Sequence, residues 1–398
     1  MQMNIPAVEG GSPARTSFLP FSPPDIHREE IAAVEEVLKS KWITRGERCA
    51  EFERMFSEYT GAGHAVVLNS ATAGLFLCMK IAGIGAGDEV VTSPYTFAAT
   101  ANVILHTGAK PVFADIEEQT FCISPSEIEK RTTRKTRAVI PVHFAGHPAP
   151  LKEIRALAGE KHLLVVEDAA HAIGAELEGE KIGNGEGPAV FSFHAVKNLT
   201  TAEGGAVTSN DDELIRLLRL HSLHGQTKDA FSKLTSGGWK YDIALPGYKF
   251  NMTDIQAALG IEQLRRLEAN RKKREKIARS YTEFFSQYEI ARVPVVKRGV
   301  RHAWHLYPLR LDFSGLKIGR DALITALAAE NISSNVHFIP LHLMSYYKKT
   351  FGFAPKDFPR AYRAYLNEVS LPLYPAMSED DISDVIEAFS KLLRYYKK

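Results

Sequence analysis

From about residue 25 to 225 the chain alternates short apolar runs with amphipathic stretches. Residues 64–68 (His-Ala-Val-Val-Leu) read as a strand, 72–82 as a helix, 88–92 as a strand, 96–106 as a helix and 110–115 as the next strand. Ser124-Pro-Ser-Glu127 has the form of a capping box with Pro at the first helical position. Residues 136–144 are strand-like, 151–162 helical, and 163–168 a buried-strand pattern. Two strands close together in sequence, 189–194 and 204–209, precede an amphipathic helix over 211–223. Such alternation, with near-continuous apolar strands, predicts a mostly parallel sheet covered on both faces. Ligands of such sheets sit beyond the carboxyl ends of the strands, so the residues just after each apolar run are the ones to inspect. The Gly- and Lys-rich stretch 228–240 reads as a mobile surface loop, and 253–285 as one long helix or two abutting ones. The remainder mixes strands and helices, which predicts a second, smaller α+β domain; we divide the chain into 1–262 and 263–398.

Composition narrows the function classes. The 398 residues are 45% hydrophobic and 24% charged, ordinary values for a chain that buries a large core without staples. A formal charge of +2 gives no footprint for nucleic acid, and the basic run Arg271-Lys272-Lys273-Arg274 falls in a helical pattern as a solvated face. Cys49, Cys78 and Cys122 are too few and too widely spaced for a disulfide framework or a zinc site, and no histidine cluster has metal-ligand spacing. There is no signal-peptide pattern and no apolar run of membrane-spanning length, so a reducing cytoplasm is the expected location.

Four strand ends carry chemistry. Lys197 follows the strand ending Phe191-Ser-Phe-His and precedes Gly204-Gly205; a loop lysine is ordinarily a surface charge, but a desolvated one condenses with carbonyl compounds. Asp168 ends a buried strand, where a charge needs a partner; the plainer reading is a helix cap or an ion pair. Leu68-Asn-Ser-Ala-Thr72-Ala73-Gly74 opens a helix with small and hydroxylated residues, which suits a phosphate or ordinary capping. Pro94-Tyr-Thr-Phe97 supplies an aromatic for a flat ring or for the core. An amine, an acid, a phosphate turn and an aromatic plate are together the parts of a pyridoxal-5'-phosphate (PLP) site, in which a carboxylate keeps the pyridine nitrogen charged.

These motifs stand beside Trp42-Ile-Thr-Arg-Gly46, Glu167-Asp-Ala-Ala-His-Ala172, Ser192-Phe-His-Ala-Val-Lys197-Asn, Pro246-Gly-Tyr-Lys-Phe-Asn-Met-Thr-Asp254 and Leu371-Pro-Leu-Tyr-Pro375. Over nearly its whole length the chain resembles the DegT/DnrJ/StrS family of PLP-dependent sugar-nucleotide aminotransferases. Phe18-Leu-Pro-Phe-Ser22 and His302-Ala-Trp-His-Leu306 resemble in particular the members that make UDP-4-amino-4-deoxy-L-arabinose. The resemblance implies an aspartate-aminotransferase-like α/β fold (PLP fold type I): a large domain with a mostly parallel sheet and a small C-terminal α+β domain. It implies that Lys197 carries the cofactor as a Schiff base and shuttles the proton, that Asp168 pairs with the pyridine nitrogen, and that His171 lies near the phenolic oxygen. It places Phe97 on the ring, where the arabinose enzymes tend to carry Trp, and the phosphate on Thr72, Ala73 and Ser192. Many members read Gly-Tyr-Asn-x-Arg where this chain has Gly247-Tyr-Lys249-Phe-Asn251, so Asn251 and Lys249 are the residues expected to reach the phosphate of a partner subunit in a homodimer with shared sites.

The implied reaction is ping-pong: L-glutamate leaves as 2-oxoglutarate, and its amine passes to a nucleotide-linked keto-sugar. UDP-4-keto-pentose is the first choice of acceptor and UDP- or GDP-linked 4-keto-6-deoxyhexoses the alternative; the product feeds lipid A modification or another surface polysaccharide. Arg45 and Arg301 are candidates for the nucleotide diphosphate. His194 belongs to the lysine motif, and His221, His224 and His337 are equally open to a structural role. Sugar dehydratases on this scaffold carry histidine at the position of Lys197, and a small-molecule transaminase lacks the combined motifs. A catalytically silent PLP-binding regulator is the rival of another class.

Overall fold

A computed structural model describes residues 5–229, 231 and 239–398; most of the loop expected at 228–240 lies outside the described residues. Strands β1 (His64–Leu68), β2 (Glu89–Thr92), β3 (Lys110–Phe113), β4 (Thr136–Ile140), β5 (Leu164–Val165) and β6 (Glu167–Asp168) are followed by a short hairpin, β7 (Glu176–Leu177) and β8 (Glu180–Lys181), then by β9 (Ala189–Ser192) and β10 (Gly205–Ser209). One group of strands runs β3-β2-β4-β5, all parallel. The other runs β1-β10-β9-β6, with β9 and β6 parallel and β10 antiparallel to both its neighbours. A parallel bridge between Val142 and Asp168 joins the two groups edge to edge. The reversal at β10 has a local cause: the segment joining it to β9 contains no helix to carry a parallel crossover, so the chain turns straight back. Lys197 lies in that return.

Alternate residues of the strands bury opposite faces. Ala65 and Val67 of β1, Val91 of β2, Val139 of β4 and Phe191 of β9 join one apolar cluster. Val66, Leu68, Val90, Ala138, Ile140 and Val190 join the other. This period of two, apolar on both sides, is what the uninterrupted hydrophobic runs encode.

Several expectations need correction. The run 163–168 breaks at Val166, leaving β5 paired with β4 and β6 with β9. Ser124 is the N-cap of the helix Pro125–Arg131, but the capping box is absent: the Glu127 amide donates to the Ser124 carbonyl, and the Ser124 hydroxyl pairs with Ser126. The basic run is not one solvated face. Arg271 and Arg274, three apart on one side of the helix, are buried, and only the two lysines between them face solvent. Arg271 pairs with Glu268 and Glu275, and Arg274 donates to the Leu373 carbonyl at 2.7 Å.

The helix Asp254–Phe285 is continuous, so position 262 falls inside it. Its Ala257, Ile261, Leu264 and Leu267 pack into the large core, while Ile277, Ala278, Tyr281 and Phe285 pack into a second core. That second core covers a three-stranded antiparallel sheet of β11 (Ala291–Arg292), β13 (Tyr307–Leu311) and β14 (Glu368–Leu371); β12 (Val300–Arg301) pairs instead with β7. Leu19 also enters the second core, and Leu341, Tyr347 and Phe358 enter the first, so both ends of the chain cross between the cores.

Asp254 fixes the start of the long helix against another. Its buried carboxylate accepts the amides of Gly46 at 2.7 Å, Cys49 at 3.0 Å and Arg48 at 3.2 Å, the first turn of the helix Glu47–Thr60. Asp254→Ala strips that helix end of its acceptor and leaves buried donors unmatched, an expected loss of roughly 2–4 kcal/mol. Denaturant midpoints of the variant and the parent measure it; an unchanged midpoint refutes the assignment.

Candidate active site

The carboxyl ends of β1, β6 and β9, with the loop after β2, surround one cavity of about 500 Å³. Its wall includes Thr72, Phe97, Asp168, His171, Ser192 and Lys197, the residues singled out at four separate strand ends. Parallel strands bring these together because their carboxyl ends share one edge of the sheet.

Asp168 is 5% exposed. Thr100 Oγ1 donates to one carboxylate oxygen at 2.7 Å and the Ala170 amide to the other at 3.2 Å. Burial nevertheless pushes its carboxyl above the usual range, against the hydrogen bonds from Thr100 and Ala170 and the charge of Lys197. The site thus holds a carboxylate that two donors only partly compensate. Lys197 is half-buried by area, but its ammonium sits deep enough that burial brings it down to about 8, with Asp168 acting in the opposite direction. At that value roughly a tenth to a fifth of the amine is neutral and nucleophilic near physiological pH, against about a thousandth or less for an ordinary lysine.

His171 accepts the Ala145 amide at its Nδ1, 3.3 Å away, so the neutral ring carries its proton on Nε2 as a donor. Burial first, then the charges of Lys197 and His337, hold it well below the usual histidine range. His305 lies 4.4 Å from it, centroid to centroid, and Nδ1 of His305 is 3.2 Å from Asn198 Oδ1. Phe97 caps the helix Ala98–His106 and is 65% exposed, an aromatic left bare at the cavity wall.

At the turn after β1, Ser70 is the N-cap of the helix Ala71–Ile81, and its hydroxyl accepts the Ala73 amide at 3.1 Å. The expected phosphate ligands are therefore not equally open to the cavity. Ala73 is committed to capping, and Ala71 and Thr72, whose first-turn amides have no intrahelical acceptor, are the ones that line the cavity. Gly205 passes behind this turn: a Cβ there would lie 2.5 Å from the Ala71 nitrogen, so only glycine lets β10 approach it. Ser192, at the end of β9, completes this side of the wall.

The segment 247–251 lies alongside the end of β1, where the Asn69 amide donates to the Phe250 carbonyl at 2.7 Å. Asn251 is turned inward, buried, with its side-chain amide on the Met252 carbonyl at 3.0 Å; Lys249 is exposed. Neither lines the cavity of this chain. Tyr248 and its neighbours are held by backbone bonds to His221, Ser222 and His224, which gives those two histidine positions a structural role. Arg45 is engaged with Glu53 and Asp229, and Arg301 with Glu176 and Glu268, so both expected diphosphate ligands are occupied in ion pairs. His194 is exposed at the cavity rim, 3.8 Å from Glu203.

Residues that the sequence did not single out also form the wall: Thr100, Asn335 and Phe338; Phe21 and His305 join them from the segments 18–22 and 302–306 whose resemblance was noted above. Thr100 had a signal, being one helical turn after Thr96, with the two hydroxyls 2.8 Å apart. Among the described residues no group of acidic, histidine or cysteine side chains is placed to hold a metal ion, and no helix is long and apolar enough to cross a membrane.

Known proteins match this arrangement. The family model for DegT/DnrJ/EryC1/StrS aminotransferases matches residues 24–390. The chain is 48% identical over 382 residues to the spore coat polysaccharide biosynthesis protein SpsC of Bacillus subtilis, covering 96% of this chain and 98% of that one. Spr1654 of Streptococcus pneumoniae, named as a sugar aminotransferase and solved in its PMP form, superposes with a TM-score of 0.89 at 38% identity, covering 95% of this chain and 99% of that one. PseC of Helicobacter pylori, an aminotransferase involved in the biosynthesis of pseudoaminic acid, superposes with a TM-score of 0.87 at 30% identity, covering 95% and 100%. The chain therefore belongs to the DegT/DnrJ/EryC1/StrS family and is a PLP-dependent sugar aminotransferase.

Proposed function

We propose that the chain moves the amino group of L-glutamate to the 4-keto carbon of a nucleotide-linked sugar, UDP-4-keto-pentose in the first instance, for a surface polysaccharide. One observation carries the reading: a depressed lysine and an under-compensated carboxylate share a single cavity that also contains free helix-terminal amides and a bare aromatic ring. These are complementary to a flat, cationic, phosphorylated ring. When bound, PLP supplies an electron sink for the carbon losing or gaining the amine.

The chain's own groups do the rest. Asp168, anchored by Thr100 and Ala170, would hold a proton on the ring nitrogen of the bound cofactor. The amides of Ala71 and Thr72 and the Ser192 hydroxyl, which line the cavity, would bind the phosphate. Phe97 would stack on the ring, and His171, whose Nδ1 accepts the Ala145 amide, would donate its Nε2–H to the phenolic oxygen. Lys197 Nζ would take the proton from the carbon of the amino donor in the first half-reaction and deliver one to the carbon of the sugar that gains the amine in the second, general base and general acid in turn. Phe21 and Ser22, and likewise His305 and Leu306, line the cavity, so the two segments that most resemble the arabinose-type enzymes meet at the substrate. Three buried, unpaired cysteines suit a reducing cytoplasm. In our reading the molecule is a homodimer in which the exposed Lys249, rather than the inward-turned Asn251, reaches the phosphate of the neighbouring subunit.

Borohydride treatment of the PLP-loaded protein labels Lys197, and Lys197→Ala abolishes both the label and turnover; a label elsewhere refutes the site. Because the nucleophile is the neutral amine, PLP uptake by the cofactor-free protein rises roughly tenfold per pH unit below about 8 and levels off above it. A rise that continues unbroken towards the ordinary lysine range contradicts the depressed value. L-Glutamate shifts the visible absorption band of the loaded protein, and a panel of nucleotide-linked keto-sugars restores it, with the UDP-4-keto-pentose ahead of UDP- and GDP-4-keto-6-deoxyhexoses. One methyl group is worth only about 1–3 kcal/mol, so the preference is expected within roughly 10- to 200-fold; a panel led by a hexose overturns the pentose assignment. Equal mixing of Lys197→Ala and Lys249→Ala subunits regains about a quarter of the parent activity, since half the dimers are mixed and each holds one whole site. Confirmed mixed dimers with no recovery exclude a shared site.

A further inference from the structure

A second line of buried polar groups leads away from the cavity. His337 lines the cavity, its ring stacked on Phe21 with centroids 5.3 Å apart. Its Nδ1 is 2.9 Å from the Ser370 hydroxyl, and that hydroxyl donates to the carboxyl of Glu368. The other carboxyl oxygen accepts the backbone N–H of His337 itself at 2.9 Å, closing a ring of contacts. Glu368 and Ser370 are both 0% exposed. They lie two apart on β14, on the face opposite Val369 and Leu371, which belong to the small core. Asn335 and Ser370 exchange backbone hydrogen bonds of 2.8 and 3.2 Å, pinning the segment that carries His337 to this strand. Among the described residues the remaining ring nitrogen, Nε2, has no partner, and it is not buried.

A hydroxyl donates in one direction at a time. With Glu368 ionised, Ser370 donates to it, Ser370 Oγ accepts from His337 Nδ1–H, and Nε2 offers the cavity a lone pair. With Glu368 protonated, its O–H donates to Ser370 Oγ, Ser370 donates to Nδ1, and the imidazole proton must reside on Nε2. The two states differ by one proton taken up from solvent at the carboxyl; the imidazole stays neutral, releasing a proton from Nδ1 and gaining one at Nε2.

We propose that Glu368 and Ser370 are positioning residues that set, through His337, whether the cavity presents a hydrogen-bond donor or an acceptor to the amino-acceptor sugar. The proposal rests on the reading of the cavity as the amination site. The donor state suits a carbonyl or hydroxyl oxygen of the sugar, and it is present on the acid side of the Glu368 titration. Burial pushes Glu368 up to about 8, opposed by Ser370, by the His337 amide and by the charge of Arg320; Tyr95 and Arg310 are its other ionisable neighbours. Burial, then the charge of Lys197, brings His337 down to about 4, so its imidazole remains neutral on both sides of that titration. His171 and His305, also near the ring, are held well below the histidine range by their own burial.

The test uses PLP-loaded protein carrying ring-15N histidine, with His337 identified among the 14 histidines by its loss in His337→Asn. As pH rises through about 8, the proton of His337 should pass from Nε2 to Nδ1. In Glu368→Gln, an isosteric change, and in Ser370→Ala the tautomer should cease to follow pH. In the parent, KM for the amino acceptor should rise about tenfold over the same range while kcat moves less, the size expected for one hydrogen bond reversed; in Glu368→Gln this dependence should vanish. A single tautomer throughout in the parent, or a tautomer change that persists in Glu368→Gln, overturns the relay. The resonance readout needs no turnover, so failure of Lys197 labelling would sink the amination reading separately.

Discussion

Everything in this site follows from taking an amine and a carboxylate out of water at one edge of a sheet. Neither charge is stable there alone. Burial drives Lys197 towards its neutral form and Asp168 towards its protonated one, and each restrains the other only in part. A buried charge that is not fully paired costs several kcal/mol, so such a pair persists where a ligand completes it. A ring that is cationic at one end and carries an aldehyde at the other meets both needs at once. The sheet makes this possible because parallel strands deliver their carboxyl ends to one edge, while the direct turn from β9 into the antiparallel β10 keeps the lysine loop at that edge.

The fold was legible in the sequence wherever the signal was local. Strands buried on both faces announce themselves as unbroken apolar runs, and β1, β2, β3, β4 and β9 fall where those runs fall. So did the strand-end residues Lys197, Asp168, His171, Phe97, Thr72 and Ser192, because position relative to a strand is a one-dimensional property. What was not legible depends on pairing across the chain. Arg45 and Arg301 look like free cations until their carboxylates arrive from other elements. The Ala73 amide looked available until the Ser70 hydroxyl was placed on it. The basic run 271–274 looked uniformly solvated, although a helix separates residues three apart from those between them. Asn335 and Glu368 come from the part of the chain with the weakest periodicity, and only the packing of one core against the other brings Asn335 to the cavity wall and Glu368 behind His337.

That packing gives the small domain more than a supporting role. The large core supplies the groups complementary to the cofactor. The second core supplies β14, and through it Ser370 and Glu368, which stand behind a cavity residue without touching the cavity themselves. The amine and the carboxylate stand at strand ends of the large core, whereas the strand behind His337 belongs to the second, so the groups on β14 are separated from the amine and the carboxylate. A substitution on β14 can shift His337 without touching Lys197 or Asp168 directly. A family that keeps one reaction while changing its sugar needs this separation, because a single methyl group alters binding by only about 1–3 kcal/mol and a few changes in one wall are enough to exchange substrates.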